Sequence, residues 1–110
     1  MPYINILTSS KVADKKKLLE EISILVSSLT NKSKRFVMAK LDDNCEMYFD
    51  DQDICCFLEI KSIGSLSPSD MAKPISNFVY ERMGIPIDKI YISFEDVSAS
   101  MWAWNGRSFR

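Results

Sequence analysis

Apolar and polar positions along the chain alternate, then cluster at every third or fourth residue, then alternate again, and this cycle runs twice. Tyr3-Ile4-Asn5-Ile6-Leu7-Thr8 reads as a strand, and Leu18, Ile22, Leu25, Val26 and Leu29 follow one helical face. Strand-like spacing returns from Phe36 to Asp42. A shift of 54 residues lays Tyr3–Thr8 on Phe57-Leu58-Glu59-Ile60-Lys61-Ser62 and Phe36–Asp42 on Ile90–Asp96. Between the second pair, Met71, Ile75, Phe78, Val79 and Met83 repeat the helical face. Ser9 or Ser10 is the expected cap at the start of the first helix, and Asn31 suits a left-handed residue at its end. Ser67-Pro68-Ser69-Asp70 has the form of a capping box with proline in the first turn, and Gly84 followed by Pro86 stops the second helix. Pro74 falls inside that helix and removes one of its hydrogen bonds.

Each half is therefore strand, helix, strand, in which the crossover makes the strands parallel and right-handed. The predicted fold class is α/β. Residues 1–110 form one domain of two pseudo-repeated βαβ units, about 1–54 and 55–110, with a four-stranded mixed sheet carrying two helices on one face. Tyr3, Val37, Phe57 and Tyr91 lie out of phase with their apolar neighbours, so both sheet faces read as apolar. Two layers of this size cover only one of them, which predicts a partner sheet and self-association. Glu46–Phe49 and Met101–Trp104 read as extra short strands that edge onto a neighbouring subunit.

Composition narrows the chemistry. With 14 basic and 15 acidic residues the formal charge is −1, which argues against a protein that holds nucleic acid by neutralising phosphates. A ferredoxin-like RNA-binding domain shares the element order, but the aromatic motifs and basic face that it needs are not evident. There is no histidine, so imidazole catalysis and His-ligated metal sites are excluded. Cys45, Cys55 and Cys56 are odd in number, two are adjacent, and no C-x-x-C occurs; they read as reduced thiols in a cytoplasmic protein. Met1 to Leu7 carries neither the basic region nor the apolar run of a secretory leader, and the uncharged stretch from Ile22 up to Lys32 is too short to cross a bilayer. Asp50-Asp51-Gln52-Asp53 and Asp42-Asp43 read as solvated turns rather than cation sites.

Pro2 directly follows Met1, and methionine removal before a small residue leaves a chain that begins with a secondary amine. An α-amino group has a reference pKa of about 7.7–8.0, and burial or a nearby lysine lowers it toward a base that is neutral at physiological pH. Such a base can take a proton from carbon. Ser62-Ile63-Gly64 leaves the third strand with a glycine that frees a backbone N–H to face a ligand. Lys32 follows the first helix and, with Lys34 and Arg35, makes a small basic cluster.

Pro2 after Met1, Thr30-Asn31-Lys32, Ser62-Ile63-Gly64, Glu81-Arg82, Tyr91-Ile92 and the tail Trp104-Asn105-Gly106-Arg107-Ser108-Phe109 occur in an order and spacing that resemble the macrophage migration inhibitory factor family of the tautomerase superfamily, over essentially the full length. The resemblance implies a homotrimer whose sheets face a central channel, with active sites between subunits. It implies keto–enol tautomerisation of phenylpyruvate-like aromatic 2-keto acids, and isomerisation of dopachrome derivatives, with no cofactor and no metal. By that resemblance Pro2 is the catalytic base, Lys32 and the Ile63 amide hold substrate oxygens, Tyr91 reaches in from the neighbouring subunit, and Phe36, Trp104 and Phe109 line the pocket. A small-molecule keto acid is then the partner, without nucleic acid or membrane. The alternative that the family offers is a cytokine-like signalling protein with vestigial tautomerase activity. Three departures bear on the carry-over: Ser93 stands where the family often has asparagine, Trp102 where it has a small apolar residue, and Leu58 where animal members complete a C-x-x-C. Thiol oxidoreductase activity is therefore not implied.

Overall fold

The computed structural model describes residues 1–110. Strand β1 (Tyr3–Thr8) leads to helix α1 (Lys15–Thr30) and strand β2 (Met38–Asp42); β3 (Cys56–Ser62), α2 (Pro68–Met83) and β4 (Ile90–Asp96) repeat the unit. A short hairpin, β5 (Ala103–Trp104) and β6 (Arg107–Ser108), closes the chain. The four long strands lie in the order β2-β1-β3-β4, with β1 and β3 antiparallel at the centre and each flanked by the parallel strand of its own unit. The two halves are thus related about the β1–β3 seam, which is the architecture that the 54-residue shift implies.

Alternation along the central strands decides which side chains meet the helices. Ile4, Ile6, Leu58 and Ile60 are buried against Leu18, Ile22 and Val26 of α1 and Met71, Ile75 and Val79 of α2. On the opposite face Tyr3, Leu7, Phe57 and Tyr91 share the surface with Asn5, Lys40, Glu59, Lys61 and Glu95. That face is more polar than the four apolar residues suggested. Val37 is not part of it. It precedes β2 in phase with Ala39 and Leu41, and all three pack on the helix-side core.

The first helix starts later than its serines imply. Ser9 Oγ accepts from the Cys55 N–H at 3.1 Å, and Ser10 is held by Thr8 and Asn44, so both belong to the end of β1. The Val12 N–H then donates to Asp43 at 2.9 Å, and Asp14 caps the helix by accepting from the Lys17 N–H at 3.1 Å. The hydrogen bond from Val12 and the nearby Lys15 hold the Asp43 carboxyl below its ordinary value. Asn31 ends α1 in the left-handed conformation and Gly84 does the same for α2, as their positions predict. Ser67 occupies the cap of α2 with Pro68 next to it, but its hydroxyl donates to the Asp70 carboxylate instead of accepting a backbone N–H. Within one chain Glu46–Phe49 pairs with no strand: a single bridge from Phe49 to Gln52 closes a tight turn in which Asp50 and Asp51 have positive φ. Met101 lies in a short 3-10 turn, so strand geometry in the tail begins only at Ala103.

No two cysteines are bonded, and Cys55 and Cys56 are buried. Burial pushes the Cys56 thiol up to about 12, and the neighbouring Cys55 adds to the shift. The thiolate is the reactive form. A thiol-titrating disulfide reagent at pH 8 is expected to modify Cys45 quickly, and Cys55 and Cys56 only after unfolding. Rapid reaction of all three in the native protein would contradict this packing.

Candidate active site

The start of β1 is anchored from the side. The Met38 N–H donates to the Pro2 carbonyl at 3.0 Å, extending the β1–β2 pairing by one residue and burying the Pro2 ring. Pro2 forms one wall of a cavity of about 300 Å³, whose other walls are Phe36, Val37 and Met38 on one side and Trp102, Ala103 and Trp104 on another. Met1, Tyr3 and Arg35 complete the lining. A volume at the low end of small-ligand sites, lined mainly by apolar side chains, suits a single flat ring.

Phe36 is placed by a 3-10 turn, Lys34–Phe36, whose cap Ser33 accepts the Arg35 N–H on its hydroxyl and the Phe36 N–H on its carbonyl. Trp104 is placed by the terminal hairpin. Asn105 and Gly106 both take positive φ, the requirement of a tight two-residue turn, and the Phe109 N–H donates to the Trp102 carbonyl at 3.0 Å. The Phe36 and Trp104 rings meet edge to face, with centroids 5.6 Å apart at 87°. Trp102 and Arg35 belong to this cavity, although neither was among the expected binding residues. The Asn105-Gly106 pair was the available signal for Trp102, because it turns the tail back on itself.

Two polar features face the N-terminus. The Met1 amino group has a pKa below the ordinary value of 8.0, first because burial penalises the charged form and second because Lys32 adds a like charge. The other is the Ile63 amide. In the β1–β3 ladder the paired residues run from Ser9 with Cys55 to Tyr3 with Lys61, so the next rung would join Met1 and Ile63. No hydrogen bond forms there. The Ser62 carbonyl accepts from Val97 at 2.8 Å and the Gly64 N–H donates to Asp96 at 2.9 Å, so the segment is held on both sides while the Ile63 N–H stays unspent.

Pro2, Phe36 and Trp104 thus share one cavity, with Lys32 and Ile63 beside the terminus. Tyr91 and Phe109 are elsewhere. Tyr91 opposes Phe57, which opposes Leu7, at the other end of β1. Leu7 lies five residue steps along the strand from Pro2, roughly 17 Å. Tyr91 is 62 % exposed and stacks on Phe49, with ring centroids 4.7 Å apart. Phe109 is partly exposed beyond β6 and does not line the cavity.

A family model described as macrophage migration inhibitory factor (MIF) matches residues 1–110. The macrophage migration inhibitory factor homolog of Brugia malayi is 28 % identical to this chain, over 99 % of each. Among solved structures, the macrophage migration inhibitory factor homologue of Prochlorococcus marinus superposes with a TM-score of 0.92 at 37 % identity, covering 98 % of this chain and 99 % of that one. The macrophage migration inhibitory factor of Trichinella spiralis shares the fold, with a TM-score of 0.90 at 23 % identity over 96 % of this chain and 98 % of its own.

Proposed function

The chain belongs to the macrophage migration inhibitory factor family, and from that premise we propose that it is a keto–enol tautomerase for phenylpyruvate-like aromatic 2-keto acids, with the Pro2 amine as catalytic base once Met1 is removed. The observation that carries the reading is a desolvated amino terminus on an aromatic cavity, with Lys32 near enough to depress its pKa. Because Pro2 is held through its carbonyl by Met38 and its ring is buried, the proposed loss of Met1 exposes the Pro2 nitrogen at the wall of the same cavity.

In the proposed reaction the neutral Pro2 nitrogen takes a proton from the carbon next to the keto group. The electron pair moves into the new C=C bond, and negative charge collects on the keto oxygen. The Lys32 ammonium and the free Ile63 N–H stabilise that charge, the kind of contribution that is usually largest at such sites. The proton then passes to the oxygen, directly or through water, and the enol leaves. Phe36, Trp102 and Trp104 hold the aromatic ring and exclude solvent.

The proposed assembly is a homotrimer. The partly polar open sheet face is its contact surface, and Tyr91 enters the site of the neighbouring subunit, an arrangement supported by its distance from Pro2 within one chain. Mixing an inactive Pro2 variant with a Tyr91→Ala variant is expected to restore activity above either alone, because some mixed sites combine an intact Pro2 with an intact Tyr91. Strictly additive activity would refute the shared site. A cytoplasmic location accords with three unbonded cysteines; no helix is long and apolar enough to cross a membrane.

The direct test is phenylpyruvate tautomerisation by protein whose intact mass establishes the state of its terminus. Chains beginning at Pro2 are expected to turn over substrate. Chains that retain Met1 are expected to be inactive, because the Pro2 nitrogen is then an amide. Equal activity of the two forms would overturn the assignment of the base.

A further inference from the structure

Arg35 stands in the wall of the Pro2 cavity with no acid to neutralise it. Its guanidinium carbon lies 5.2 Å from the centroid of the Phe36 ring, and it takes part in no ion pair, whereas the adjacent Lys34 approaches Glu20 at 4.0 Å. The backbone beneath it is fixed by the N–H bond to Ser33 Oγ at 3.3 Å. No aspartate or glutamate lines the cavity, and Arg35 is the one charged side chain that does. A guanidinium without a carboxylate, stacked on an aromatic wall in a chain of net charge −1, is poised for an external anion.

We propose that Arg35 is a specificity-determining residue that receives a second oxyanion, carried on the aromatic ring of the substrate away from the carbon that Pro2 deprotonates. The inference rests on the tautomerase reading for the orientation of the substrate. Phenylpyruvate carries one carboxylate, bonded to the keto carbon whose oxygen Lys32 and Ile63 serve in the proposed chemistry. Lys32 acts on the terminal amine, whereas Arg35 lies over the Phe36 ring in the cavity wall. Arg35 and Trp104 both pack on the Phe36 ring, so a ring held on this aromatic pair brings a substituent within reach of the guanidinium. The forked donors of arginine fit carboxylate, sulfonate or phosphate with two parallel hydrogen bonds. The preferred substrate class is an aryl 2-keto acid with a ring-borne oxyanion.

The test compares phenylpyruvate with 4-carboxyphenylpyruvate on wild type, Arg35→Gln and Arg35→Lys. It reads kcat/KM for each, and Kd by quenching of tryptophan fluorescence, since Trp102 and Trp104 line the cavity. Wild type is expected to favour the dianion by roughly fivefold at low ionic strength, the scale of a partly exposed ion pair, and to lose that preference as salt is raised. Arg35→Gln is expected to bring the ratio to about one, and Arg35→Lys to retain part of it. An unchanged ratio in Arg35→Gln would overturn the proposal and leave the guanidinium as a lid on Phe36. If neither compound turns over but Arg35 still discriminates between them in binding, the tautomerase reading fails and the selectivity stands. Absence of binding by either keto acid would overturn both.

Discussion

Pro2→Gly is expected to lower phenylpyruvate tautomerisation by about 10²–10⁴-fold, the usual contribution of a positioned general base, while leaving the fold and the assembly intact. Glycine replaces the ring-held secondary amine with a freely rotating primary one. The Pro2 ring is packed into the sheet end and fixes the direction of its nitrogen, whereas glycine has neither the ring nor its buried contacts. The pH profile supplies an independent sign. A base acts in its neutral form, so kcat/KM rises with pH through the amine pKa and is level above it. Burial and Lys32 both lower the pKa of the Met1 amino group at this site, and the same two causes acting on a Pro2 amine would start the level region at lower pH than an ordinary terminal amine allows. Lys32→Gln removes the like charge, so the acid limb should move to higher pH, and the plateau should fall because the enolate loses a cation. Retention of wild-type kcat/KM by Pro2→Gly, or an acid limb that stays in place in Lys32→Gln, would detach these residues from the proton transfer.

The largest stability effect is expected at Leu58. It is fully buried on β3, opposite Ile6 of β1 and Ile92 of β4, at the joint between the two halves. Leu58→Ala removes buried methyl groups and leaves a cavity that strands held on both sides cannot close, a change that costs about 2–5 kcal/mol. Against a typical total of about 5–15 kcal/mol, that is a large fraction of the stability of the chain. Chemical denaturation read by circular dichroism should show it as a lower midpoint. Ile24→Ala, on the outer face of α1 and 52 % exposed, should move the midpoint little. Comparable shifts for the two variants would mean that the core is not centred on this seam.

Leu58 also illustrates what could be read in advance. Its place in the 54-residue repeat marks it as a strand residue in register with Ile4, and both are completely buried. The helical faces, the left-handed Asn31 and the stop at Gly84 were equally legible, since each depends on neighbours a few positions away. The cap of α1 differs because Ser9 and Ser10 are drawn into bonds with Cys55, just before β3, and with Asn44, in the loop after β2. The strand expected at Glu46–Phe49 was to pair with a neighbouring subunit, and within one chain it has no partner: Phe49 only bridges to Gln52, and Lys89 holds Asp50 at 3.3 Å against the start of β4.

The candidate site divides along the same line. The sequence by itself determined the two βαβ units, the four-stranded sheet and the proximity of Pro2 to a strand end, because periodicity, caps and breakers act over a few residues. The resemblance added Lys32, Ile63, Phe36 and Trp104 as positions to inspect. Only the tertiary structure decided that Trp102 and Arg35 join Pro2 in one cavity, that the Ile63 N–H is left free by a missing rung, and that Tyr91 sits at the far end of the sheet. Those outcomes follow from strand register and from the closure of the terminal hairpin, which bring distant segments together. No local pattern of polar and apolar residues specifies where such segments meet.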